Sequence, residues 1–288
     1  MDWLERDAGD QSAALAAGAL TAEALMEATL ARIVAVNPGL RAIVALRDAD
    51  ALMAEARAAD RAPRRGWLHG MPFAVKDLFD VAGLPTSQGS PALAGQVAAA
   101  DSGLAARLRA AGAIFIGKTN VPEFGLGSHS ANPVHGTTVN PYDRACSAGG
   151  SSGGAGAALA ARMVAVADGT DMMGSLRNPA AWNNVWSLRP TWGLVPGEPG
   201  GDSFLHCVST AGPMARSPAD LARLLATLAV PDPRRPFGRP VPDLSGLDAP
   251  VAGMRIGWLG DWGGAWPVEP GLLDCARAAL GVLEGLGC

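Results

Sequence analysis

The run Gly149-Gly150-Ser151-Ser152-Gly153-Gly154 constrains this chain more than any other segment. No side chain in it is larger than a hydroxymethyl group, so the backbone is free to turn sharply and to lie against other backbones. Small residues are common elsewhere too, with 37 glycines among the 288 residues. Together with abundant alanine they predict close backbone approaches and glycine-rich turns around an α/β body. A composition that is 49% hydrophobic and 17% charged is that of a globular chain.

Helical and strand patterns alternate around that run. Leu25, Ala28, Leu30 and Ile33 recur near helical spacing; Thr21 is placed to cap this helix, and Leu20 and Leu25 to staple its start. A second helix is expected over 48–59. Residues 71–75 read as a buried strand ending at Lys76-Asp77, a helix follows over 102–110, and 113–116 form another strand. A helix at 154–162 and a strand at 164–167 repeat the alternation. Ser217 and Pro218 open a helix over 218–228, and a strand at 254–259 precedes a helix over 270–286. The stretch 231–250, rich in Pro, Gly and Asp, reads as a surface connector.

Several functions are disfavoured by composition and spacing. A net charge of -4 with scattered basic residues gives no field to gather nucleic acid. No run of about 18 uncharged apolar residues is present, so no membrane span is expected. The start MDWLERDAGD lacks secretory-signal features, and a cytoplasmic location is the default. Cys146, Cys207, Cys275 and Cys288 form no CxxC pair, and the four histidines make no HExxH, so free thiols and no metal or cofactor are expected. Residues 112–119 match the phosphate-loop pattern, but their Ala-Ile-Phe-Ile centre favours a buried strand. Residues 149–153 match GxSxG, but no apolar strand precedes them. The glycine-rich turns lack the order and the acidic residue of a dinucleotide site.

What remains is a set of hydroxyls beside strand ends, in 149–154 and in Gly169-Thr170-Asp171-Met172-Met173-Gly174-Ser175-Leu176-Arg177. Serine needs a base near neutral pH, and with no well-placed histidine the available base is a lysine that loses its proton on burial. Lys76 follows Phe73, Ala74 and Val75, so its stem starts from the core. Spacing alone leaves the alternatives open: ordinary small-residue turns, and a snorkelling lysine or one paired with Asp77.

The segments Gly70-Met71-Pro72-Phe73-Ala74-Val75-Lys76-Asp77 and Gly117-Lys118-Thr119-Asn120-Val121-Pro122-Glu123-Phe124, the runs at 149–154 and 169–175, Pro190-Thr191, Gly193 and Gly212-Pro213-Met214-Ala215-Arg216-Ser217 together resemble the amidase signature family. The resemblance spans nearly the whole chain in the expected order. It implies a Ser-cisSer-Lys triad, with Lys76 as base, Ser151 as the bridging serine on a cis peptide, and Ser175 as the nucleophile that forms an acyl-enzyme. The backbone amides of Met172, Met173, Gly174 and Ser175 are placed to form the oxyanion hole, while Asp171 and Arg177 hold the loop. Departures from the family text occur at Met173, Asn184 and Ser187, where glycine is commoner; Met173 disfavours a left-handed backbone and narrows the pocket.

The implied fold is α/β, an amidase-signature-like mixed sheet covered by helices. It forms a single domain over 1–288, incomplete at the C-terminus, with an N-terminal helical segment at 1–62 and a catalytic core at 66–230. The implied function is hydrolysis of a carboxamide, with a small-molecule amide and water as partners and a homodimer as the candidate assembly. Met172, Met173, Trp182 and Trp186 are candidates to wall an apolar pocket, with core packing equally open to the two tryptophans. The alternatives are a glutamine-hydrolysing subunit of an amidotransferase and a catalytically incompetent truncated paralogue.

Overall fold

Side-chain caps begin the helices that the sequence marks most clearly. After α1 (Ala8–Ala17), which ends at the left-handed Gly18, α2 (Ala22–Val36) starts where Thr21 accepts from the Ala24 amide, with Leu20 and Leu25 both buried. After β1 (Ile43–Val44), Asp48 caps α3 (Ala49–Arg61) in the same way. The computed structural model describes residues 2–198, 206–235, 237–244 and 246–288. They fall into two compact units, Met1–Pro242 and Asp243–Cys288.

In the first unit β2 (Pro72–Lys76) is followed by α4 (Gly103–Ala110), capped by Ser102, and by β3 (Ile114–Thr119). The crossover makes β2 and β3 parallel, with Val75 opposite Lys118 and Lys76 opposite Thr119. Every residue of both strands is buried, which explains why they read as continuous apolar runs. The phosphate-loop match at 112–119 therefore falls largely on a strand. β1 pairs antiparallel to β3, giving the order β1-β3-β2 and leaving β2 with one edge outside the ladder.

A hairpin of β4 (Ala131–Asn132) and β5 (Gly136–Thr137) leads to α5 (Gly153–Ala160) and β6 (Val166–Asp171). Then come α6 (Arg177–Trp182), β7 (Trp186–Ser187), β8 (Thr210–Ala215) and α7 (Pro218–Leu228), whose Ser217 cap and leading Pro218 stand where expected. β6, β8 and β7 form an antiparallel sheet in the order β6-β8-β7, and β6 lies against β2. The strands are thus shared between a mixed and an antiparallel three-stranded sheet plus the hairpin.

α5 follows directly on the glycine-serine run, and its residues 153–159 are all buried. A Cβ at Gly154 would lie 2.2 Å from the Asn120 amide nitrogen and 2.6 Å from its carbonyl oxygen, so backbone meets backbone there. Gly154→Ala is expected to destabilise by about 3 kcal/mol or more, because neither backbone can yield without moving α5 off β3. Urea unfolding of the variant checks this; an unchanged midpoint would mean that α5 is free to shift.

In the second unit α8 (Leu272–Gly285) forms as the apolar spacing predicts. The strand expected at 254–259 does not: those residues are irregular. A strand needs a neighbour for its alternating N–H and C=O groups, and the described residues of this unit contain no other strand. The described residues of 231–250 also carry neither helix nor strand. No helix is long and apolar enough to cross a membrane among the described residues.

Candidate active site

Successive residues of an extended chain point to opposite faces, and this separates Lys76, the last residue of β2, from Asp77 just after it. Asp77, adjacent in sequence and weighed above as a partner for Lys76, instead lies 3.5 Å from the Lys118 ammonium and accepts a 2.6 Å bond from Ser87. The Lys76 side chain is fully buried among hydroxyls: its Nζ donates to Ser151 Oγ at 2.8 Å, Ser152 Oγ at 2.8 Å and Thr170 Oγ1 at 2.6 Å. Burial pushes its pKa down to about 7, against the opposing fields of Asp168 and Asp171. A neutral amine has two N–H groups and a lone pair, so near neutrality one of the three hydroxyls can turn and donate to it.

Ser151 follows a cis Gly150–Ser151 peptide and is buried. Its carbonyl accepts from Ser130 Oγ at 3.3 Å, and the same hydroxyl accepts from the Gly153 amide at 2.9 Å, so the head of α5 is held on both sides of Ser152. Ser152 in turn donates its amide to the Ser175 carbonyl at 3.2 Å, which brings the second serine segment alongside the first. The Ser175 hydroxyl makes no hydrogen bond among the described residues. The lysine and Ser151 are joined directly, and Ser175 is brought near through the backbone.

Asp171 organises the loop that carries Ser175. Its carboxylate accepts from the Gly174 amide at 2.8 Å, the Leu176 amide at 3.1 Å, and Arg177 through two bonds of 3.0 Å. Burial raises this acid, but Arg177 and the two amides outweigh burial and hold its pKa at about 2. The expected oxyanion set needs correction: the Gly174 amide is already committed to Asp171, which leaves Met172, Met173 and Ser175 as donors without an acceptor among the described residues. Met173 lies outside the left-handed region, so the backbone penalty anticipated for it does not arise. Asn184 does adopt positive φ, at 52°, a conformation that asparagine tolerates better than most residues.

Asp171→Ala leaves Arg177 and two amides without their acceptor and is expected to cost about 3 kcal/mol at pH 7. The folded pKa lies below the unfolded one, so the stabilisation is fully present above the ordinary carboxylate range and is lost as pH falls toward 2. Denaturant unfolding at pH 7 and near pH 2 checks both points: the gap between wild type and variant closes in acid, and an equal gap at both pH values contradicts the assignment.

Met172, Met173, Trp182 and Trp186 are all exposed, Met173 to 83%. Trp182 stacks at a tilt on His129, with ring centroids 5.6 Å apart. A pocket of about 250 Å³ lies near the lysine, lined by Phe79, Leu104, Thr170, Trp192, Val195 and Phe237 among others, and Thr170 connects it to Lys76. Sequence reasoning missed Ser152, Thr170, Lys118 and Asp168. The period of two along β6, which puts Asp168 and Thr170 on one face, was the available signal for those two residues.

The α/β scaffold thus brings together a buried lysine held by hydroxyls at the end of a parallel strand, a glycine-serine helix start and an aspartate-braced serine loop. The chain belongs to the amidase family, whose model matches residues 24–288. It is 41% identical over 291 residues to a glutamyl-tRNA(Gln) amidotransferase subunit of Anaeromyxobacter sp. (strain K), covering 98% of this chain and 58% of the relative. To an indoleacetamide hydrolase of Bradyrhizobium diazoefficiens it is 41% identical over 242 residues, 81% of this chain and 46% of that protein. The structure of a 6-aminohexanoate cyclic dimer hydrolase superposes with a TM-score of 0.90 at 31% identity, over 99% of this chain and 59% of the other. The chain thus spans somewhat under two thirds of the length of the relatives it matches.

Proposed function

We propose that this chain carries the acylating machinery of a carboxamide hydrolase. Ser175 Oγ attacks the amide carbonyl, and its proton passes through Ser151 Oγ to the neutral amine of Lys76. The tetrahedral oxyanion is received by the free amides of Met172, Met173 and Ser175. Collapse of that intermediate breaks the carbon–nitrogen bond, and the proton returns from Lys76 through Ser151 to the departing amine. Water then attacks the acyl group on Ser175 by the same relay, releasing the acid and the free serine.

The observation that carries this reading is the Lys76–Ser151 bond of 2.8 Å at a fully buried lysine whose pKa falls to about 7. That value gives a general base its best compromise between being free of a proton and wanting one. The test is labelling with a fluorophosphonate and peptide mapping. The expected result is a single adduct on Ser175; an adduct on Ser151 or Ser152, with Ser175 free, overturns the nucleophile assignment.

The relative named for glutamyl-tRNA(Gln) amidotransferase supports a second reading, in which glutamine is the amide hydrolysed and the ammonia passes to a partner protein. Initial rates with glutamine and with indole-3-acetamide, on the 288-residue chain and on any longer product of its gene, separate the two. Glutamine turnover that rises on adding amidotransferase partner proteins favours the second.

A further inference from the structure

β2 has β3 on one side only, so the amides on its other edge have no ladder partner. At Lys76 that place is taken by a side chain: Asp168, from β6, accepts the Lys76 amide with Oδ1 at 3.0 Å. Two residues along the same face, Thr170 reaches the Lys76 ammonium. One strand therefore grips this lysine at both ends, by its backbone and by its amine.

Asp168 is fully buried, and its other carboxylate oxygen has no hydrogen-bond partner among the described residues. A carboxylate in that condition costs several kcal/mol compared with an apolar residue of similar size. The flanking residues Val166, Ala167 and Gly169 are apolar and buried. A buried, half-satisfied charge at the one strand position facing the lysine backbone calls for a functional reason.

We propose that Asp168 is a positioning residue for the relay: its carboxylate stands in for the missing neighbour strand at the Lys76 amide and supplies the buried negative charge against which the Lys76 amine is balanced. This rests on the reading of Lys76 as the base. The other charged groups around the amine do not make Asp168 redundant. Asp171 on the same strand adds a smaller field and is paired with Arg177, and on the β2–β3 side Asp77 and Lys118 form their own pair. Ser151, Ser152 and Thr170 carry no charge. Asp168 is raised to about 6 by burial, against the Lys76 amide and the fields of both lysines. Its ionised form favours the ammonium.

The sign of the expected effect follows. Removing the charge at Asp168 removes support for the ammonium, so the Lys76 midpoint moves to lower pH. In Asp168→Asn, which keeps an oxygen for the Lys76 amide, that midpoint is expected to fall by about one pH unit. The acid limb of Ser175 labelling by the fluorophosphonate should move with it. The measurement is the titration of lysine side-chain nitrogens by NMR in the 288-residue chain, with Lys76→Met identifying the resonance. An unchanged midpoint in folded Asp168→Asn overturns the proposal and leaves Asp168 a structural tie.

A second measurement needs no variant. In the wild-type chain the Lys76 resonance should show a further inflection at the pH where the Asp168 carboxyl carbon titrates, and two independent curves also overturn the proposal. Failure of the underlying reading looks different: Lys76→Met would label at Ser175 at the wild-type rate while the coupled titration persisted.

Discussion

Ser175→Ala is expected to lower amide turnover by about 10⁴-fold or more and to abolish the fluorophosphonate adduct, with the fold intact. The size follows from what is removed. In the proposed mechanism the acyl-enzyme forms on the Ser175 hydroxyl, and Ser151 is not expected to replace it, because that hydroxyl is held against Lys76 in a buried position. The loop itself should stay in place, since its bonds run through the Asp171 carboxylate, the Gly174 and Leu176 amides and the Ser175 carbonyl. Circular dichroism and mass spectrometry of labelled peptides form the check. Near-normal turnover in Ser175→Ala, or an acyl group on another residue, contradicts the mechanism.

Lys76→Met is expected to separate activity from stability. Turnover should fall by about 10³-fold, the usual range for loss of a general base. Stability should move the other way in neutral and acidic solution. Holding the amine at about 7 against an ordinary 10.5 corresponds to a penalty of roughly 4–5 kcal/mol on the charged form, part of which the three hydroxyl contacts of the amine offset in the variant comparison. Because the folded pKa lies below the unfolded one, the penalty is complete below pH 7 and fades as pH rises toward 10.5. Methionine fills a similar volume without a charge, although it leaves three hydroxyls short of a partner. The expected net result is a variant about 2 kcal/mol more stable than wild type at pH 6, with the difference shrinking or reversing by pH 10. A constant difference across that range means that Lys76 titrates normally and is not the base.

The apolar periodicity of α2, the capping residues Thr21 and Ser217, and the unbroken apolar runs of β2 and β3 were legible in the sequence because each depends on neighbours within a few residues. The Lys76, Ser151 and Ser175 text was legible for a different reason: three short segments with restricted backbone needs resemble one family in a fixed order. Only the tertiary structure decided which face each side chain takes and which strand edges lie open. It turned Asp77 away from Lys76 to Lys118, committed the Gly174 amide to Asp171, left Met173 and Trp186 exposed, and kept 254–259 from becoming a strand. It also set Ser152, Thr170 and Asp168 around the lysine, from positions 76 to 94 residues away in the chain. Hydrogen-bond partners and buried charges are long-range properties, fixed by how β6 and α5 pack on β2; the period of two along β6 puts Asp168 and Thr170 on one face, but only the packing turns that face to the lysine.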